Sequence, residues 1–344
     1  MKVIIATTIT PYSYGGATLL VDWLEEALVN RGHEVEMYKI PLWGSPTDLP
    51  QQILGLRNWD FTGHGDRLIT VRTPSYLIRH HSKVAWFLHH HRLSYDLWET
   101  YPDVPDDASG AEFRRLNFAS DDVALRECDQ IFTNSQTISN RLTRYNRLDS
   151  EVLYPPLGEG VTHSTGPYGD HLLYVSRIVP HKRQLLAVQA MQHTRTGVKL
   201  TIAGGSGNDE YARSIKDAIT TLSLQDKVTY LDRVVSDSEK DELQAGALGV
   251  IYIPLDEDSY GFVGLEAVAA QKPLVTVTDA GGSLELVKDG VNGLVTDPTP
   301  EALALAFDRL YSDKQEAARM GAAQQEQVRR MNISWDHIVE RLLG

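Results

Sequence analysis

The feature that most constrains this chain is an alternation that runs, stops and starts again. Residues 3–8 form an unbroken β-branched and apolar run, the pattern of a strand buried in a parallel sheet. A loop with Gly15-Gly16 follows. Leu20, Leu24 and Leu28 then recur at helical spacing as far as Arg31-Gly32, where glycine can end a helix. Residues 33–40 alternate as a second strand. Further short strands are expected at 68–71, 84–88 and 130–133, with a surface loop over 101–111, rich in Pro, Asp and Gly. Residues 154–167 carry Pro155-Pro156, Gly158, Gly160 and Gly166-Pro167, the composition of a linker.

After that segment the rhythm resumes. Strands are expected at 172–175, 198–203, 228–231, 249–253 and 273–277, with a helix near Arg183 and another from Asp209. Alternating strands and helices on short connections predict an α/β chain of two doubly wound parallel sheets covered by helices. Two such units on a linker would present their strand C-terminal ends to a common cleft, the place where open α/β sheets bind ligands.

Length agrees, since 344 residues exceed one ordinary core. The net charge of −13 is spread over both parts. Residues 1–150 hold 15 Lys/Arg against 19 Asp/Glu, and the remainder 18 against 27, so neither is a general nucleic-acid binder. Cys128 is the one cysteine, so no disulfide framework within the chain is possible, and it reads as a small core residue. The first apolar run is too short for a signal peptide. No run approaches the ~20 apolar residues of a membrane span. The expectation is a soluble cytoplasmic protein, with peripheral contact at an inner membrane face left open.

Four segments carry candidate chemistry. Gly204-Gly205-Ser206-Gly207 follows a strand and precedes a helix. It is either a phosphate-approaching loop or a turn that needs glycine. Residues 176–183 place Arg177, Lys182 and Arg183 after another strand. They are either a solvated basic loop or a diphosphate site, with a guanidinium fork and an ammonium point charge. Asp258 and Glu266 lie eight positions apart around a glycine-containing turn. They fit an acid/base pair, two helix-start acids, or two acceptors for sugar hydroxyls. Asp256-Glu257-Asp258 also matches an acid-x-acid metal signature, a triplet common by chance among 46 acids. Finally, His89-His90-His91-Arg92 follows a strand, so one imidazole could orient a reacting hydroxyl. Three consecutive histidines cannot all face one ion without a bend, even with His80 and His81 nearby. Packing is the plain alternative.

Taken in order, these residues resemble the retaining glycosyltransferases of family 4, the glycosyl transferases group 1, over nearly the whole length. The resemblance rests on Ser176-Arg177-x4-Lys182, Ala203-Gly204-Gly205, Tyr230-Leu231-Asp232-Arg233-Val234, Asp258-x7-Glu266-Ala267 and Asp279-Ala280-Gly281-Gly282-Ser283-x-Glu285. The first part adds Tyr14-Gly15-Gly16, residues 86–92 and Tyr95-Asp96-Leu97-Trp98. Within the family the chain is similar to members that build bacterial surface polysaccharides.

The resemblance implies a GT-B architecture: two Rossmann-like domains, 1–155 for the acceptor and 168–330 for the donor, with 331–344 packing back on the first. It implies transfer of a hexosyl unit from a UDP- or GDP-linked sugar to a glycan, lipid-linked or small-molecule acceptor, without metal or other cofactor. Arg177 and Lys182 would hold the diphosphate and stabilise the leaving group. Glu266 would hold the ribose, and Asp258 with the backbone of Phe262 and Val263 the sugar and phosphate. Arg233 and Val234 would lie beside the base, Gly205 and Gly16 would allow close approach, and His89 would face the donor sugar. Two positions depart from the pattern. Asp258 stands where the family usually has Glu, which leaves Glu257 as a rival for the sugar contact. Asp232 stands where Gly is frequent. A phosphorylase or glycosidase on the same scaffold, or a non-catalytic sugar-nucleotide-binding subunit, are the alternative functions.

Overall fold

The computed structural model describes residues 1–12, 15–42, 48–98 and 108–344. The chain divides into two compact units, one of Met1–Glu159 with Ile333–Gly344 and one of Gly160–Asn332.

The first unit runs β1 (Lys2–Ile9), α1 (Gly16–Asn30), β2 (Glu34–Pro41), α2 (Leu49–Arg57), β3 (Arg67–Thr70), β4 (Lys83–Phe87), α3 (Ala108–Arg126), β5 (Gln130–Thr133), α4 (Gln136–Asn146) and β6 (Glu151–Val152). Its six strands are parallel in the order β2-β1-β3-β4-β5-β6. The central strands β1 and β4 are buried almost throughout, as their apolar runs require, while β2 at the edge is half-exposed. Leu20, Leu24 and Leu28 form the buried stripe of α1, and the chain leaves that helix through Gly32 at φ +81°.

The helices α2, α3 and α4 were not among the sequence expectations. In α3 the reason is physical: its buried stripe includes Asn117 and Asp121 beside Phe113, Ala124 and Leu125, so apolar periodicity is broken where the helix meets the core. Because α3 opens at Ala108, residues 108–111 are helical and not loop. Residues 101–107 lie outside the described residues.

The second unit runs β7 (His171–Val175), α5 (Gln184–Met191), β8 (Lys199–Ala203), α6 (Asp209–Thr221), β9 (Val228–Leu231), α7 (Asp237–Ala245), β10 (Gly249–Ile251), α8 (Phe262–Ala269), β11 (Leu274–Val277), β12 (Gly293–Thr296), α9 (Pro300–Ser312) and α10 (Lys314–Arg330). Its parallel order, β9-β8-β7-β10-β11-β12, is the 3-2-1-4-5-6 pattern of a doubly wound sheet. The direction of winding reverses between β7 and β10, so the loops after these two strands part at their C-terminal ends.

A last helix, α11 (Trp335–Leu343), completes the first unit. Ser334 caps it by accepting from His337 N–H. The Trp335 indole donates to the Leu157 carbonyl at 2.8 Å and meets Trp86 edge-on at 6.3 Å. Arg31 draws Glu159 and Asp336 together at 2.8 and 2.5 Å.

Candidate active site

In the second unit the winding reversal brings three strand-end loops together, and side chains of opposite charge tie them. After β7 the chain passes Ser176 and Arg177 and makes a short 3-10 turn, Pro180–Lys182. Lys182 Nζ donates to the Tyr252 hydroxyl at 2.7 Å and to the Glu257 carboxylate, both on the segment that follows β10. Leu255 N–H donates to the His181 carbonyl at 2.8 Å, so backbone and side chain fasten the same two loops. Arg183 makes two bonds of 2.7 Å to Asp279, which follows β11. The backbone of Asp256 and Glu257 bonds to Asp279, Ala280 and Gly282, closing the set.

Tyr252 lies under this junction. Its ring packs so tightly on Gly261, at φ +69°, that a Cβ there would fall 2.8 Å from the ring. Burial, and then the Glu257 carboxylate, push the Tyr252 phenol well above its usual range, while the charge of Arg177 acts the other way. The phenol is therefore a neutral donor and acceptor beside Lys182. Phe262 and Val263 are the first two residues of α8, so their N–H groups belong to the first turn of that helix, where the helix dipole favours an anion. Glu266, one turn on, accepts from Lys240 Nζ of α7 at 2.7 Å. Asp258 lies half-buried between Glu257 and the α8 start.

The glycine loop is explained by close packing. A Cβ on Gly204 would sit 1.8 Å from the Ser176 carbonyl oxygen, and one on Gly205 would sit 2.9 Å from a Val234 methyl. Gly207 N–H is already engaged by the Ile178 carbonyl at 3.0 Å, which binds the loop to the Arg177 segment. Arg233 forks onto Glu239 at 2.7 and 2.6 Å, and Val234 beside it is 79% exposed. Asp232 holds Lys216 at 2.6 Å.

In the first unit the three histidines after β4 have three separate partners. His89 Nδ1 donates to the His90 carbonyl at 2.6 Å. His90 is 1% exposed and meets the Asn146 side chain at 2.8 Å, and burial lowers its pKa to about 4. His91 meets Ser94 at 2.9 Å. His80 Nδ1 accepts from Ser82 N–H and Nε2 faces the His64 carbonyl, both at 3.0 Å, so it pins backbone. Gly16 opens α1; Tyr14 lies outside the described residues.

Sequence reasoning missed the polar core behind His90. Tyr76 and Tyr95 each donate to the fully buried Asp121 at 2.7 Å. Burial raises the Asp121 pKa to about 7, against the two hydroxyls that lower it. The Tyr95 ring lies 4.2 Å from His90 and 4.0 Å from Phe118. The Lys182–Glu257 and Lys240–Glu266 pairs were also not foreseen, since nothing in sequence spacing joins residues 75 and 26 positions apart.

Among the described residues, no group of three or more His, Cys, Asp or Glu side chains is placed to hold a metal ion. Nor does any described helix have the length and apolarity to cross a membrane.

Residues 169–327 match the family model described as glycosyl transferases group 1. An uncharacterized glycosyltransferase of Methanocaldococcus jannaschii, MJ1607, is 34% identical over 41% of this chain and 36% of its own length. The D-inositol 3-phosphate glycosyltransferase of Stackebrandtia nassauensis is 26% identical over 87% of this chain and 73% of its own. The chain thus spans about a third of one relative and about three-quarters of the other. Among solved structures, Anabaena Alr3699/HepE in complex with UDP-glucose shares the fold, with a TM-score of 0.70 at 18% identity over 99% of this chain and 98% of that one. With two six-stranded parallel sheets the chain has the GT-B fold, and its second unit carries the segment that matches the glycosyl transferases group 1 model.

Proposed function

We propose that the protein transfers a hexosyl unit from a nucleoside-diphosphate sugar to a glycan, lipid-linked or small-molecule acceptor, with retention and without metal. The observation that carries this reading is the convergence of Arg177, Lys182, Asp258 and the α8 start on the strand ends flanking the β7/β10 reversal. Two cations and a helix N-terminus suit a diphosphate, and carboxylates beside them suit sugar hydroxyls. The UDP-glucose complex of the Anabaena protein supports a nucleotide-sugar donor.

In this reading Arg177 and Lys182 stabilise the charge that develops on the leaving diphosphate as the anomeric C–O bond breaks. The acceptor attacks from the same face, and its proton passes to the departing phosphate oxygen, so no protein nucleophile is needed. Glu266 accepts from the ribose hydroxyls while Lys240 holds its other oxygen, and Arg233 with Val234 flanks the base. Asp258 accepts from the donor sugar, and His89 faces it. Lys182 stays within reach of Glu257, so the diphosphate shares this cation with a resident carboxylate.

The test is incubation with UDP- and GDP-linked sugars and an acceptor extract, following nucleotide release. Arg177→Ala is expected to abolish the release seen with the native protein. A detected activity that survives both Arg177→Ala and Lys182→Ala unchanged overturns the reading.

A further inference from the structure

The first sheet has its own reversal. In the order β2-β1-β3-β4-β5-β6 the winding changes direction between β1 and β3, so the C-terminal ends of these strands are where a ligand would meet this unit. Arg72 stands there, two residues beyond β3. Its Nη1 donates to the Thr8 carbonyl at 2.9 Å. Its Nε is buried and has no hydrogen-bond partner among the described residues. No carboxylate among the described residues pairs with it, and burial alone accounts for a pKa drawn below the usual arginine value. Four other cations of the same unit share carboxylates. Arg57 and the buried Lys83 share Glu127, and Arg92 and Arg141 share Asp96.

The position of Arg72 is fixed. Its carbonyl accepts from Ser75 N–H and Oγ at 2.8 and 2.6 Å, and the Thr8 hydroxyl donates to the next carbonyl, Thr73, at 2.7 Å. Register carries the argument across the sheet. Ala6 pairs with Thr70, Thr70 with Ala85, and Phe87 with Thr133. Arg72 therefore sits level with Thr8 and Phe87, one strand over from His89 and two residues short of it. On the next strand Thr133 Oγ1 and Asn134 Oδ1 are also buried and unpartnered among the described residues. A part-buried guanidinium whose Nε is out of water favours a ligand that supplies a counter-charge, and its planar fork matches the paired oxygens of phosphate or carboxylate.

We propose that Arg72 anchors an oxyanion site at the strand edge of the first unit, and that its occupant is a phosphate or carboxylate group carried by the acceptor. This rests on the donor reading above, in which the donor diphosphate is met by Arg177 and Lys182 of the second unit. The enzyme would then select acidic acceptors, and Arg72 would set where the acceptor lies relative to His89.

The experiment is a thermal-shift titration with inorganic phosphate, and separately with acetate, in the Arg177→Ala background and in native protein saturated with UDP or GDP. Chloride at matched ionic strength is the control. One of the two oxyanions is expected to raise the melting temperature by about 2 °C at tens of millimolar. Adding Arg72→Gln should remove that shift and Arg72→Lys should keep part of it. A nucleotide-induced shift that persists in the single Arg72→Gln variant shows that the protein is folded. Should Arg72→Gln fail to fold, a reduced shift in Arg72→Lys carries the same meaning. The proposal is overturned if neither oxyanion exceeds chloride, if the shift survives Arg72→Gln, or if saturating nucleotide abolishes it, which would place the oxyanion with the donor. Failure of the donor reading is seen separately, as no nucleotide shift that Arg177→Ala removes.

Discussion

The two units each present a six-stranded parallel sheet, in different strand orders, and manage charge at the strand ends differently. In the second, cations and carboxylates from different loops are paired: Lys182 with Glu257, Arg183 with Asp279, Lys240 with Glu266. The side chains of the first pair are largely buried, at 12% and 18% exposure, so their attraction is screened less than on the surface. In the first, the groups behind the strand ends are buried and mostly neutral: Tyr76, Tyr95 and Asn146 around Asp121 and His90, with Arg72 left without a carboxylate among the described residues. The difference teaches that two sheets of the same kind can carry very different charge patterns on the loops at their strand ends. Paired charges hold separate loops in register. A neutral network instead holds one backbone segment rigid.

The largest expected effect breaks the paired side. Lys182→Ala should lower kcat for nucleotide release by about 10²–10³-fold, because it removes leaving-group stabilisation and strands the Glu257 charge beside the diphosphate. Adding Glu257→Gln should recover part of that loss. Additive effects in this double-mutant cycle would show that the two residues do not act as a pair.

The next effect probes the neutral side through pH. The Asp121 pKa is raised to about 7, so the stability it contributes is present below its unfolded value near 4 and is lost as pH rises through 7. The His90 pKa is lowered to about 4, so its contribution is lost as pH falls from 6.5 through 4. Between pH 4 and 6.5 the two oppose each other, each worth up to about 3–4 kcal/mol. Urea unfolding should therefore show stability rising with pH in Asp121→Asn and falling in His90→Gln, relative to the native protein. Parallel pH profiles in all three would refute the assignment.

The smallest effect sharpens the roles of adjacent acids. Glu257→Gln, which removes a negative charge next to Lys182, should bind nucleoside diphosphate about 3–5-fold more tightly, roughly 1 kcal/mol. Asp258→Asn should leave that affinity unchanged and weaken the sugar nucleotide alone. The reverse pattern, measured by calorimetry, would make Glu257 the sugar contact.

Much of this molecule is legible in its sequence, and the limits have physical causes. Buried parallel strands announce themselves as β-branched runs, so β1, β5, β8 and β9 fall within a residue of expectation, as does the reach of α1 to Asn30. Helix α3 is hidden because Asp121 and Asn117 occupy its inward stripe. Arg177, Lys182, Asp258 and Glu266 stand out through order and spacing. Their partners do not, because Glu257, Tyr252 and Lys240 are matched to them only by the folding of separate loops. Arg72 is silent for the same reason: what marks it is a buried Nε with no partner, and no paired carboxylate, among the described residues.

The most direct test of the central claim is calorimetric titration of the native protein and of Arg177→Ala with UDP and with GDP. Saturable binding of one of them, weakened at least about 10-fold by the substitution, is the predicted result. Equal affinity in the two proteins, or no binding of either nucleotide, would contradict a diphosphate site at the β7/β10 reversal.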